Sequence, residues 1–389
     1  MALFEMIRDK NSILFVRPDY HCSFFYRDEL RKSGWKADVY VPPNYPEKLL
    51  YSEKDILRAP QLKAKKRIGT LFNRAMMILW WLATFWRYHF HIYYGRPPAF
   101  PSIGFKLGLQ KLLNESFQWE LWLAKLFRVK LIYLPTGCLE DENKENFTKL
   151  DDGNVCNNCG FWNRCSDVSN NLNFSRVRRY FDMNIGVGAI NSSQFPMTHM
   201  KYKSIDLDLW SPDNVIPKEH LLPSTKKLRI LHSAYLSGRD WKGRNIKGSP
   251  FVLKAIERLQ NEGYPVEYFF IKDKPSNQMR FYQAQADIVV EQLIYGWWGS
   301  TFVETSALGK PVICYLRPSW KEFFLKTFTE YKTLPVIEAD TKTVYDSLKK
   351  LVVDHDFRRI KGIESRKFAE QHFSVQDNTQ SFIKYMESL

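Results

Sequence analysis

The chain has 389 residues, 44% of them hydrophobic and 15% aromatic, and its 57 lysines and arginines outnumber 42 acids for a formal net charge of +15. That length predicts two domains with sizeable cores, and the basic balance favours anionic partners: nucleotides, phospholipid surfaces or nucleic acid. The cations are spread along the chain without a basic tail or an RNA-binding signature, which argues against nucleic acid as the main partner. The first ten residues are too weakly apolar for a signal peptide.

Residues 12–16 read as a buried strand, 24–32 as a helix ending at Gly34, and 37–41 as a second strand. This β-α-β opening suits a doubly wound domain. No Gly-x-Gly-x-x-Gly fingerprint of an NAD site is present. The longest apolar run, 75–86, is about 12 residues and too short to span a bilayer. Arg74 and Arg87 flank it, and Lys63, Lys65, Lys66 and Arg67 precede it. It fits a core helix, or an interfacial helix lying on anionic lipid. A strand at 90–94, a helix at 120–127 and a strand at 129–134 follow. The loop 135–138 then stands at a strand's carboxyl end, where ligands bind in open α/β sheets.

Residues 139–178 interrupt this rhythm with a polar, asparagine-rich insertion. Cys138, Cys156, Cys159 and Cys165 supply four thiolates, enough for a closed tetrahedral zinc site of structural role. The spacing matches no ferredoxin run. Four reduced, unconnected thiols remain the alternative. Cys22 and Cys314 sit in apolar surroundings and read as buried thiols. A helix at 176–182 and a strand at 184–189 lead to a linker at 203–212. Strands and helices then alternate at 228–233, 250–261, 266–271, 279–284, 286–291, 302–308, 311–315 and 342–352, before a helix-rich tail from 357.

Two segments carry chemistry. The first is Gly296-Trp-Trp-Gly299-Ser300-Thr301-Phe-Val-Glu304, continuing to Ala307, Gly309, Pro311 and Val312. A glycine turn opening a helix lets backbone N–H groups approach an anion, and Glu304 falls about one turn later, within reach of a sugar hydroxyl. The second is Arg244-Asn-Ile-Lys247-Gly248-Ser-Pro250, which enters the next helix with two cations at its amino end. Cations and helix dipole together favour a diphosphate there.

These residues resemble the donor-site segments of GT-B glycosyltransferases, in particular glycosyltransferase family 4. Gly299, Glu304, Ala307, Gly309, Pro311, Val312, Arg244 and Lys247-Gly248 match that pattern; Gly296 stands where the family has its first acid. The resemblance covers about residues 200–320. It implies two Rossmann-like domains facing a cleft: an acceptor domain at 1–205 with the cysteine-rich insertion at about 138–178, a nucleotide-sugar domain at 206–370, and a C-terminal helix at 371–389 returning to the first. It implies a hexosyltransferase-type enzyme, retaining and free of a catalytic metal, moving a sugar from a nucleotide-sugar donor to a saccharide or lipid-linked acceptor in surface polysaccharide synthesis. Such an enzyme would be cytoplasmic or peripheral on the inner membrane face. Lys247 and Arg244 would stabilise the leaving diphosphate, with Gly248, Gly299, Ser300, Thr301 and Glu304 around the donor. His232, ending a strand, is a candidate for the phosphate site. Asp19 and His21, after the first strand, are candidates for acceptor binding or base chemistry; other first-domain loops carry His89, His91 and Thr136. Asp206-Leu-Asp208 lies in the linker and makes no convincing metal motif. A GT-B-like epimerase and a non-catalytic binding scaffold are the competing readings.

Overall fold

A computed structural model describes residues 8–43, 45–60, 67–95, 97, 117–137, 142–150, 154–160, 165–188, 191–234 and 244–389. Strands β1 (Ser12–Val16), β2 (Lys36–Tyr40), β3 (Ile56–Leu57), β4 (Phe90–Tyr94), β5 (Lys130–Leu134), β6 (Met183–Gly186) and β7 (Thr198–His199) form one sheet in the order β3-β2-β1-β4-β5-β6-β7. Strands β8 (Leu228–Ala234), β9 (Val266–Lys272), β10 (Ile288–Val290), β11 (Val312–Cys314) and β12 (Ile337–Glu338) form a second, in the order β12-β11-β10-β8-β9. Neighbouring strands pair parallel in both.

Parallel sheets need both faces covered, which is why their strands run almost continuously apolar. In β1 every residue is buried. Ile13 and Phe15 join Phe24, Phe25 and Leu30 of the helix Cys22–Lys32. Leu14 and Val16 point the other way, to Trp81 and Leu121 on the helices Arg67–Thr84 and Trp119–Leu126. The strand order reverses between β1 and β4 in one sheet and between β8 and β10 in the other. Each reversal opens a crevice at the carboxyl ends of the strands. The result is two Rossmann-like domains, the GT-B arrangement the resemblance implied.

The two domains share an apolar cluster that runs from Phe15 and Phe25 through the fully buried Trp210 to Phe302 and Phe368. Backbone hydrogen bonds tie Ile205 to Phe373 and Val375. Beyond them the helix Val375–Glu387 lies on the helix Cys22–Lys32, with Tyr26 and Phe382 edge to face at 5.2 Å. The polar insertion also reaches the second domain. Asn143 caps the short helix Lys144–Lys149, whose Phe147 is buried against Tyr295 and Trp320.

Several elements went unread in the sequence: β3, β7 and β12, which are two residues each, and the helix Pro318–Thr327. The helix expected at 176–182 starts earlier, as Asp167–Tyr180. Zinc finds no support among the described residues, where no three His, Cys, Asp or Glu side chains gather as metal ligands. Cys138 lies outside those residues. Cys156, Cys159 and Cys165 form no disulfide. Cys156 and Cys159 do make a tight turn, the N–H of Cys159 donating to the Cys156 carbonyl at 3.3 Å. Cys22 and Cys314 are fully buried, and burial raises both thiols, Cys22 to about 12.

Candidate active site

The amino-terminal turn of the helix Ser249–Asn261 is built from its own polar residues. Gly248 adopts φ +78°, and a Cβ there would stand 3.0 Å from the Leu293 Cβ, so close backbone approach requires glycine. The Asn245 side chain accepts from the Lys247 N–H at 2.9 Å and donates to Ser249 Oγ at 3.0 Å. His232 is fully buried behind this turn. Its Nδ1 faces the Val290 carbonyl at 2.7 Å and so carries the proton, leaving Nε2 to accept from Ser249 Oγ at 2.8 Å. Burial lowers its pKa to about 4, which keeps the ring neutral. His232 therefore acts on the helix entry through Ser249.

The turn aims Lys247 at an acid that the sequence did not single out. Lys247 Nζ lies 3.8 Å from Glu291 Oε1, and Glu291 is fully buried at the end of β10. The loop after Glu291 folds back, so that the same Oε1 accepts from the Gly299 N–H at 2.7 Å, at the entry to the helix Ser300–Ala307. Burial raises the Glu291 carboxyl; Lys247 and the N–H groups of Gly299 and Phe302 oppose that rise. The Gly299 N–H thus serves the protein's own carboxylate, while Ser300 and Thr301 stand half-buried beside it. Arg244 is half-buried next to residues 235–243, which lie outside the described set.

Glu304 turns toward the other domain. Its Oε2 accepts from Gln283 Nε2 at 2.5 Å, and its Oε1 lies 3.4 Å from His21 Nδ1. His21 caps the helix Cys22–Lys32 among Phe25, Tyr51 and Trp210 rings. Burial drives the two titrations apart: the Glu304 carboxyl rises to about 7 and the His21 imidazole falls to about 4. Asp19 is fully buried and held by Lys203 Nζ at 2.8 and 3.1 Å. Two neighbours of Asp19, Arg17 and Tyr20, have positive φ, +74° and +43°. Strain of this kind in bulky residues clusters at working sites.

The structure thus brings Lys247, Gly248, Glu291 and Gly299 together, and His21 with Glu304 and Gln283. Asp19 is engaged by Lys203, a linker residue. His89 and His91 stand at the opposite, amino end of β4; His91 Nε2 lies 2.9 Å from the Phe85 carbonyl in the core. Asp206 accepts from the N–H groups of Asp208 and Leu209 within the linker. Gly296, at φ +93°, faces Arg317: a Cβ there would lie 2.9 Å from the Arg317 Cβ. An acidic side chain at 296 has no room. Glu291, Gln283 and Lys203 were missed because their partners are remote in sequence; a lone acid closing the apolar run 288–290 was the available signal for Glu291.

No protein-family model matches the chain, and no curated protein sequence matches it. Solved structures do. HepE of Anabaena, in complex with UDP and glucose, superposes with a TM-score of 0.56 at 12% identity over 98% of this chain and all of that one. Sucrose-phosphate synthase of Thermosynechococcus elongatus gives 0.58 at 12% identity over 97% and 98%. A protein of Listeria monocytogenes assigned as a UDP-N-acetylglucosamine 2-epimerase gives 0.50 at 11% identity over 98% and 96%. At such identities the likeness is one of fold.

Proposed function

We propose that the protein is a glycosyltransferase that moves a sugar from a nucleotide-sugar donor to a hydroxyl of a saccharide or lipid-linked acceptor. The carrying observation is the pairing of Lys247 with Glu291 and Gly299 at the switch point of the second sheet, 3.8 Å separating cation and carboxylate. A donor diphosphate suits this place: it competes with Glu291 for the cation and meets the amino ends of two helices. Lys247 then stabilises the charge that grows on the leaving diphosphate, and Arg244 assists from the preceding loop. Glu304, buried at the domain crease, is placed to receive ribose hydroxyls once the donor enters between it and His21. This set of charges supports transfer without a catalytic metal. Retention of configuration and surface polysaccharide synthesis are carried by the family resemblance alone, and a zinc on the four cysteines by their spacing alone.

The test is a calorimetric panel of UDP-, GDP-, ADP- and CMP-sugars with the intact protein. One nucleotide class binds, and Lys247→Ala weakens it by roughly 10- to 100-fold, the loss of a charge-assisted hydrogen bond of about 1.5–3 kcal/mol. Absence of binding for every class, or equal affinity in the variant, overturns the reading. The epimerase alternative is favoured by the Listeria likeness in fold. It requires an epimerised nucleotide sugar to accumulate without any acceptor, which product analysis reads directly.

A further inference from the structure

The helix Arg67–Thr84 breaks the usual rule for a surface helix. Its inner face is apolar, as it must be: Met77, Trp81 and Thr84 are buried against the first sheet. Its outer face is apolar as well. Phe72, Ala75, Leu79, Leu82 and Ala83 are exposed, Leu79 at 60% and Phe72 at 47%. At 100° per residue they fall on one side, opposite Met77, Trp81 and Thr84. Trp86 is half-buried just beyond. No charged residue interrupts the run between Arg74 and Arg87. A helix apolar all round belongs in a core or in lipid, yet half of this one is in neither. The adjoining helix Trp119–Leu126, joined through an edge-to-face contact of Phe85 and Phe127 at 5.2 Å, adds exposed Trp122 and Leu126.

We infer that this face is where the protein lies on an anionic lipid bilayer surface. The charge pattern selects that occupant over a second protein. Arg74 and Arg87 are both exposed and flank the apolar run 75–86 in sequence, and the Arg87 guanidinium sits over the Trp86 ring at 5.8 Å. The chain as a whole carries +15. Apolar side chains framed by cations and an aromatic belt match the depth profile of an anionic leaflet, with hydrocarbon below, ring-bearing groups between and phosphate above. Among the described residues no helix is long and apolar enough to cross a membrane, so the contact is with the surface. This inference deepens the proposed function: it selects an acceptor carried on a lipid.

Flotation of the intact protein tests it with vesicles of phosphatidylglycerol mixed with phosphatidylcholine, and with phosphatidylcholine alone. The protein floats with the mixed vesicles, binds phosphatidylcholine far less, and is released by salt. Arg74→Glu with Arg87→Glu lowers partitioning by roughly tenfold or more, as does Leu79→Glu with Leu82→Glu. Both variants keep the wild-type Tm and nucleotide-sugar affinity, since all four side chains are exposed and remote from Lys247. Equal flotation of wild type and variants overturns the inference. So does a wild type that fails to float and sediments as a dimer that Leu79→Glu dissociates, because the stripe then joins two copies. Failure of nucleotide binding, with flotation intact, would overturn the transferase reading and leave the docking face standing.

Discussion

Glu304→Gln separates the electrostatics of the crease from its packing. Burial raises the Glu304 carboxyl from 4.5 to about 7, with Glu291 adding to the rise and Gln283 and Lys247 opposing it. Between those values the native state holds a proton that the unfolded chain has released. Stability therefore falls as pH rises through this window, by up to about 1.4 kcal/mol per pH unit. Above pH 7 the carboxylate is ionised in both states, and its burial costs roughly 3 kcal/mol. Glutamine keeps the acceptor for Gln283 and removes the titration. The variant should match wild type near pH 4 and gain steadily to roughly 3 kcal/mol at pH 8, while its nucleotide-sugar affinity falls. His21 works in the opposite direction. Its pKa drops from 6.5 to about 4, chiefly through burial, so stability is lost as pH falls through that range. The His21 term is common to both proteins and cancels in the difference. Urea unfolding across pH 4–8, with and without the donor, measures the result. A difference that does not change with pH, or a variant less stable than wild type at pH 8, refutes the reasoning. It would mean that Glu304 is an ionised, well-paired carboxylate.

Lys203→Met leaves Asp19 buried without its cation and should cost about 3–5 kcal/mol in urea unfolding; pairing it with Asp19→Asn should recover most of that. Gly296→Ala places a Cβ 2.9 Å from the Arg317 side chain at φ +93°, and should lower stability by roughly 1–3 kcal/mol by strain. A Tm equal to wild type would refute both the backbone strain and the Arg317 clash. Elemental analysis after purification without added metal reads the cysteines: about one zinc per chain, lost in Cys156→Ser, is the result that four thiolate ligands require.

Where the chain's own pattern decides local structure, the sequence was legible. β1, β4, β5 and β8 stand out as short, almost continuous apolar runs, because a parallel strand buries both faces. The turn at Lys247–Pro250 was legible because glycine and proline have single-residue reasons to be there. The carboxylates were another matter. Spacing behind Gly299 singles out Glu304 in the sequence, but its partners Gln283 and His21 come from 21 residues away and from the other domain. Glu291 reaches the Gly299 N–H, eight positions on, only because the loop between them doubles back. No local periodicity encodes that path. His89 and His91 illustrate strand direction. The strand begins at residue 90, so both belong to the end of the sheet away from the crevice, and strand direction alone argues against them. His21 Nδ1 and Nε2, Gln283 Oε1 and Glu291 Oε2 are all buried without a hydrogen-bond partner. All four lie around Glu304 and Lys247, where the proposed donor would enter. A donor bringing hydroxyls and a diphosphate supplies both donors and acceptors there.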